Sequence, residues 1–279
     1  MAIAKSMSVL LNHINELKVA EAFTKQAEIF DQLYGDDKVV QYKRKRVRDH
    51  ILKYAKEKGS MLELNCGTGE DAIFFAQKEF QVHATDISSG MLDVLKRKVK
   101  GSVYEDRITT ELCSFTELEM LSGRRAFDYL YSNLGGLNCT ADLNKVLESL
   151  GDLVGEGGVI TLVIISKFCL WEFLLMFKGK FKTAFRRILS ANGRAAQVEG
   201  KNFRCWYYNP SFLRKSLKDK FDLIDLEGLC TIVPPSYIYN FADKYPKGFQ
   251  LMINTEERLK NKWPWNRTGD YFIISFRRK

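Results

Sequence analysis

The chain has 279 residues, 46% of them apolar, which suits one large core with insertions better than a string of small domains. Six cysteines without a C-x-x-C pair, and only three histidines, argue against a zinc site and for reduced, mostly buried thiols. The net charge of +9 invites a nucleic-acid partner, but the excess is scattered over 43–48, 96–100, 178–187 and 277–279 without a nucleic-acid motif, so a solvated basic surface is expected instead.

No segment reaches the ~18 uninterrupted apolar residues that span a bilayer, and the first residues lack a basic start with an apolar core, so a soluble, cytoplasmic protein is expected. Residues 8–33 show mixed helical periodicity, and a basic helix follows over 39–56. From there the pattern alternates in α/β fashion. Strands are expected near 60–65, 81–87, 107–113, 127–133 and 157–166, with helices near 70–79, 89–99 and 141–154 and with Gly157-Gly158 as the turn opening the fifth strand. Residues 167–209 break the alternation with an apolar run, Phe168 to Phe177, followed by Lys178, Lys180, Lys182, Arg186 and Arg187. Packing within a cap is the expected fate of that run, although an apolar stretch beside a basic one also suits a membrane surface. Two late strands, near 221–229 and 271–276, joined by a helical excursion, complete the pattern.

The most informative stretch is Met61-Leu-Glu-Leu-Asn-Cys-Gly-Thr-Gly-Glu-Asp71, followed by Val82-His-Ala-Thr-Asp86-Ile87. It reads as strand, glycine turn, helix and strand around a ligand, with the glycines bringing backbone N–H groups close and the helix N-terminus pointing at the same place. Asp86 falls 19 residues after Gly67, where a ribose-binding carboxylate belongs. The glycine spacing also fits a nicotinamide dinucleotide. Glu63, however, would repel a pyrophosphate and attract the ammonium and sulfonium of S-adenosylmethionine.

Through Glu63–Gly69, Ala84–Leu92 and Phe127–Leu134 the chain resembles the class I S-adenosylmethionine-dependent methyltransferases of small-molecule type, over roughly residues 30–166. The resemblance implies a Rossmann-like, seven-stranded, mostly parallel sheet flanked by helices, with an inserted helical cap. It implies an N-terminal lid (1–56), a cofactor core (57–166), a cap over the acceptor site (167–210) and a closing part (211–279). Glu63, Asn65, Gly67 and Gly69 would surround the methionine part of the cofactor, Asp86 the ribose, Ile87 and Met91 the adenine, and Ser114 and Phe115 its amine and ring. Ser132, Asn133 and Leu134 would face the methyl group, Tyr34 would cover the ligand, and Arg44 would pair with the methionine carboxylate. A solvated helix face is the competing reading of Lys43-Arg-Lys-Arg46. Asn65 stands where the family usually has glycine, and asparagine tolerates the left-handed backbone that position needs. Ser114 stands where many members have an acid.

The expected reaction is methyl transfer to a small apolar or aromatic acceptor, at oxygen by default. An RNA-modifying enzyme and a non-catalytic S-adenosylmethionine-binding module docked at membranes are the alternatives. Asn/Asp-Pro-Pro-aromatic, typical of enzymes that methylate amino groups of nucleic acid, is replaced after the fourth strand by Ser132-Asn-Leu-Gly-Gly, and Pro234-Pro235-Ser-Tyr237 comes too late, so it is read as a loop at the pocket rim. Trp206-Tyr207-Tyr208 are expected to line the acceptor pocket or to pack in the cap. No catalytic residue is assigned; His13, His50, His83 or a tyrosine are the candidates for a base, His83 reading as structural.

Overall fold

Seven strands form one sheet in the computed structural model, which describes residues 2–122 and 125–279, with side chains from Leu10 onward. β1 (Ser60–Leu64), β2 (Gln81–Asp86), β3 (Ile108–Leu112), β4 (Phe127–Ser132) and β5 (Val154–Ile165) run parallel. β6 (Arg194–Val198) and β7 (Lys201–Cys205) make a separate hairpin, while β8 (Phe221–Leu229) and β9 (Tyr271–Arg278) close the main sheet antiparallel. The strand order is β3-β2-β1-β4-β5-β9-β8. It reverses between β1 and β4, which opens a crevice beyond their carboxyl ends.

The long α1 (Ala2–Tyr34) and α2 (Lys38–Leu52) precede the sheet, and α3 (Glu70–Gln77) and α4 (Ser89–Val99) connect β1 to β2 and β2 to β3. α5 (Leu143–Ser149) is followed by a 3-10 turn, α6 (Leu170–Leu174) and α7 (Phe181–Ala184) lie in the insertion, and α8 (Pro210–Leu217), α9 (Phe241–Lys244) and α10 (Pro246–Leu259) come last. Strand residues alternate between two apolar layers. Met61 and Val163 join Ile51, Phe75 and Leu95 on the α2–α3–α4 side, and Leu62 and Ile164 join Val146 and Leu213 on the α5–α8 side. Each such fully buried side chain contributes about 1.5–3 kcal/mol.

Three expectations change. β5 begins at Val154, so Gly157-Gly158 lies inside the strand: Gly157 takes φ +70°, a Cβ on Gly158 would sit 3.0 Å from the Asp128 carbonyl, and the register against β4 slips there. The insertion is not purely helical, because its second half folds as the β6–β7 hairpin. Lys43-Arg-Lys-Arg46 is not a solvated face either, since Lys43, Arg44 and Arg46 are buried and only Lys45 is exposed.

Their partners explain this burial. Arg46 Nη2 lies 2.8 Å from Glu227 Oε2 on β8, and Arg46 Nη1 donates to Tyr42 Oη at 2.8 Å, which donates in turn to Glu256 on α10. Glu256 also accepts the backbone N–H groups of Cys230, Thr231, Ile232 and Val233 at 2.8–2.9 Å. Burial raises the Glu227 pKa, but His50, Lys53 and Arg46 together hold it far below the ordinary carboxylate range. His50 is thus a packing and charge partner, with Nε2 2.7 Å from Ser275 Oγ, and His83 bridges Thr109 and Glu111 on β3. His13 is exposed on α1.

Candidate active site

Beyond the carboxyl ends of β1 and β4 lies a cavity of about 270 Å³ whose floor is made by those ends and their glycine turns. Glu63 reaches it from the face of β1 that carries Met61, and 2% of the residue is exposed. Its Oε2 has no hydrogen-bond partner. Burial and then the neighbouring Asp71 push its pKa well above the ordinary value, against a smaller pull from the Tyr131 hydroxyl and then from Arg44 and Arg48. The floor therefore holds a buried carboxyl group with one oxygen free of hydrogen bonds.

Asp71, at the start of α3, organises the surrounding charges. It accepts Arg48 Nε at 2.6 Å and Asn133 Nδ2 at 2.7 Å, and Arg44 Nη1 lies 3.7 Å away. Asn65 takes φ +51°, the left-handed conformation expected of it. Its amide donates to the Asn133 carbonyl at 3.1 Å and accepts from Ser132 Oγ at 2.5 Å, which pins the β1 and β4 turns together. Leu134 is held at φ +49°, an unusual angle for a bulky residue, and Gly135 follows at φ +77°.

The two loop glycines have different duties. Gly67, at φ +56°, has nothing within 4 Å of the place a Cβ would occupy, so its backbone faces open cavity. Gly69, at φ +79°, precedes α3, and a Cβ there would lie 2.1 Å from Leu95 Cδ1. At the end of β2, Asp86 accepts the Gly67 N–H at 2.9 Å and the Ser88 N–H at 2.8 Å. Burial raises its pKa, and the amides of Ser88, Gly67 and Ile87 oppose that.

α1 forms the roof. Its inner face reaches the loop after each of the first four strands. Thr68 donates to Asp31 at 2.6 Å, Thr24 and Ser88 hydroxyls lie 2.8 Å apart, Glu16 accepts from Ser114 at 2.9 Å and Thr116 at 2.7 Å, and Asn15 donates to the Cys139 carbonyl at 2.8 Å. Val19, Phe23 and Phe30 hang from α1 into the cavity, opposite Phe203 and Cys205 of β7. Cys139 and Cys205 are free thiols with their sulfurs 3.9 Å apart.

Of the residues expected at the ligand, Arg44, Glu63, Asn65, Gly67, Asp86, Ile87, Met91, Phe115, Asn133 and Leu134 line the cavity. Four do not. Tyr34 lies tilted against Phe30, 4.8 Å between ring centroids, Gly69 packs on Leu95, the Ser114 hydroxyl is taken by Glu16, and Ser132 supports Asn65 from below. Trp206, Tyr207 and Tyr208 also stay outside, with Tyr207 beneath the Arg187 guanidinium and Tyr208 donating to the Thr140 carbonyl at 2.8 Å. Tyr237 lies 3.8 Å from Cys169 and Ser236 accepts from Lys43, so 234–237 packs against α2 and the cap and not at the pocket rim. Sequence reasoning missed the roof residues Val19, Phe23, Phe30 and Phe203, and Asp71 among the floor groups; the acid pair Glu70-Asp71 after the glycine turn was the one available signal.

Comparison with known proteins gives this geometry a family. A family model described as "Methyltransferase domain" matches residues 61–158, which contain β1 to β4, the glycine turns, Glu63 and Asp86. The chain carries a class I S-adenosylmethionine-dependent methyltransferase domain. The domain is 27% identical over 155 residues to a malonyl-[acyl-carrier protein] O-methyltransferase of Hamiltonella defensa, an alignment covering 56% of this chain and 55% of that protein. This chain therefore spans only about half the length of that relative. Among solved structures, the domain is similar to the [4+2]-cyclase SpnF, with a TM-score of 0.59 at 16% identity over 93% of this chain and 95% of that one. It is also similar to a 1,6-didemethyltoxoflavin-N1-methyltransferase of Burkholderia thailandensis with bound S-adenosylhomocysteine, with a TM-score of 0.55 at 14% identity over 96% and 90% of the two chains. Likeness at these identities is a likeness of fold, and the cyclase shows that the fold also hosts other chemistry.

Proposed function

We propose that the protein transfers a methyl group from S-adenosylmethionine to a small apolar or aromatic acceptor. The observation that carries this reading is Glu63: a buried carboxylate with an unpartnered oxygen on the cavity floor suits a ligand ammonium and opposes a pyrophosphate. The other floor groups fit the same ligand. Arg44 and the open backbone of Gly67 suit its carboxylate end, Asp86 suits ribose hydroxyls, and Ile87, Met91 and Phe115 offer an apolar slot for a purine. When bound, the cofactor supplies a carbon activated toward displacement by its sulfonium leaving group.

The chain's own contribution is then position and exclusion of water. Asn133 and Leu134, fixed by Asp71 and Asn65, shape the floor beside the cofactor's amino end, while α1 and β7 close the roof. Holding an acceptor in line with the transferred carbon is worth roughly 7–11 kcal/mol. Val19, Phe23, Phe203 and Ile165 offer the acceptor an apolar wall without imidazole or carboxylate. That supports an acceptor oxygen already ionised near neutral pH, as in a carboxylic acid or a phenol acidified by its substituents. The relatives' names put methylation at oxygen in one case and at nitrogen in the other, so the target atom rests on the wall's chemistry. A roof closed over the cavity also favours a small acceptor over RNA.

Isothermal titration with S-adenosylmethionine, S-adenosylhomocysteine and NADH, on the wild type and on Asp86→Ala, tests the cofactor. Binding of the first two and not NADH, lost in a variant that still melts cooperatively, supports the proposal. Absence of binding to both by the folded wild type overturns it. A screen of phenols and carboxylic acids with labelled methyl donor then tests transfer; binding without transfer to any acceptor would favour a non-catalytic module.

A further inference from the structure

The insertion 167–205 has its own small core. Phe173 lies 5.6 Å from Phe168 and 6.1 Å from Phe185 between ring centroids, and Glu172, buried, holds Arg186 and Arg187. Arg187 ties this unit to the sheet through Asp270 at 2.5 Å. The expectation that the whole apolar run packs inside the cap is therefore met only by its first part.

Beyond that core, the chain turns outward at Gly179, φ +72°, with nothing within 4 Å of its missing Cβ. Phe177 and Phe181, on either side of the turn, are 77% and 57% exposed, and Leu189 is 71% exposed. Lys178, Lys180 and Lys182 are interleaved with them, exposed and without an acidic partner among the described residues. Glu172 is the sole acid between 167 and 198, and it is buried under its two arginines, so the outer surface of that stretch is basic only. Neither phenylalanine serves the cap's core, and neither lines the cavity.

We propose that Phe177–Lys182 docks the protein on the surface of an anionic membrane, with Phe177 and Phe181 entering the headgroup–acyl boundary and the three lysines facing anionic headgroups. Charge complementarity selects this occupant. A lysine near an anionic leaflet contributes about 1 kcal/mol, and aromatic rings settle at the interface where one side is wet. Among the described residues, no helix is long and apolar enough to cross a membrane. The inference stands apart from methyl transfer, because docking is measured without cofactor or acceptor, and failure of either reading leaves the other intact.

Co-sedimentation of the whole protein with vesicles of phosphatidylcholine alone, and of phosphatidylcholine mixed with phosphatidylglycerol, is the test. Binding is expected to the mixed vesicles and to weaken with salt. Removing three lysine contacts of about 1 kcal/mol each predicts a loss of about 100-fold or more in Lys178→Glu/Lys180→Glu/Lys182→Glu. Phe177→Ser/Phe181→Ser is expected to reduce binding at every salt concentration. All five residues are exposed, so both variants are expected to melt with the wild type. Absence of wild-type binding to mixed vesicles, or equal binding by the charge variant, overturns the proposal. So does binding of an RNA oligomer, unaffected by the phenylalanine changes, in place of vesicles, or self-association lost in those changes without vesicle binding.

Discussion

Glu63→Gln is expected to move binding and stability in opposite directions. The substitution keeps the volume of a side chain that is 2% exposed and removes a charge whose Oε2 has no partner. A hydrogen bond between charged groups contributes about 1.5–3 kcal/mol, so losing the ammonium contact should weaken S-adenosylmethionine binding by roughly 10- to 150-fold. Without ligand, the same change removes the cost of a buried, unpartnered charge. A gain of about 1–2 kcal/mol in the free protein would raise the melting temperature by about 2–6 °C.

The pH dependence follows from the raised pKa of Glu63, caused first by burial and then by Asp71. A carboxyl that holds its proton more tightly when folded contributes stability below its unfolded pKa and loses that contribution as pH rises through the folded value. The advantage of Glu63→Gln should therefore widen as pH rises above the ordinary carboxylate range, while the folded wild type has to give up a proton it holds tightly. Calorimetric titration and melting curves at several pH values are sufficient. Affinity within about twofold of wild type, or a variant that melts several degrees lower than wild type, would refute the reasoning.

Three further outcomes follow from the geometry. Gly69→Ala forces a left-handed alanine against Leu95, which has no room to retreat, and should cost about 2–4 kcal/mol in chemical denaturation; Gly67→Ala should cost about 1–2 kcal/mol and act mainly on ligand affinity. Glu16→Ala removes the acceptor shared by Ser114 and Thr116, and should speed hydrogen exchange along the middle of α1 by tenfold or more while β4 and β5 are unchanged. Arg46→Ala leaves Glu227 and Glu256 short of a partner and should cost about 3–5 kcal/mol at neutral pH without changing ligand affinity. Because Glu227 is held at a depressed pKa, its stabilisation is present above the ordinary carboxylate range and fades as pH falls, so this variant should show a shallower acid limb than the wild type.

The floor of the site was legible because its chemistry is local. Glu63, Asn65, Gly67, Asp86, Ile87 and Met91 stand at fixed steps from the ends of two apolar strands, and a strand end places its next residues with little freedom. The roof was not, because α1 turns polar groups inward. Asn12, Asn15 and Glu16 are buried on the same helix that leaves Leu10, Leu11 and Leu17 exposed, so hydrophobic periodicity points to the wrong face. Burial of Lys43, Arg44 and Arg46 was hidden for another reason: Arg44 finds its counter-charge at Asp71, Arg46 at Glu227 and Glu256, and Lys43 its partners at Ser236 and Tyr271, distances along the chain that no local pattern records. Ser114 follows both rules, since the strand end set it between the cavity-lining Cys113 and Phe115 and a side chain nearly a hundred residues upstream took its hydroxyl.

The position of β9 bears on how the chain reaches this state. It lies between β5 and β8, pairing with Val159–Ile165 on one side and with Phe221–Leu229 on the other. In chain order it is the last strand, reached only after α9 and α10 have intervened. While the protein is being synthesised, β5 therefore keeps an unpaired edge whose Ile160, Leu162, Val163 and Ile164 are fully buried once the sheet is complete. Such an edge is a template for misassembly, and pairing over this separation is slow in loop-closure entropy. The nascent chain is accordingly most exposed to aggregation in the interval between emergence of β5 and arrival of β9, and β8 has no place in the sheet until that interval ends.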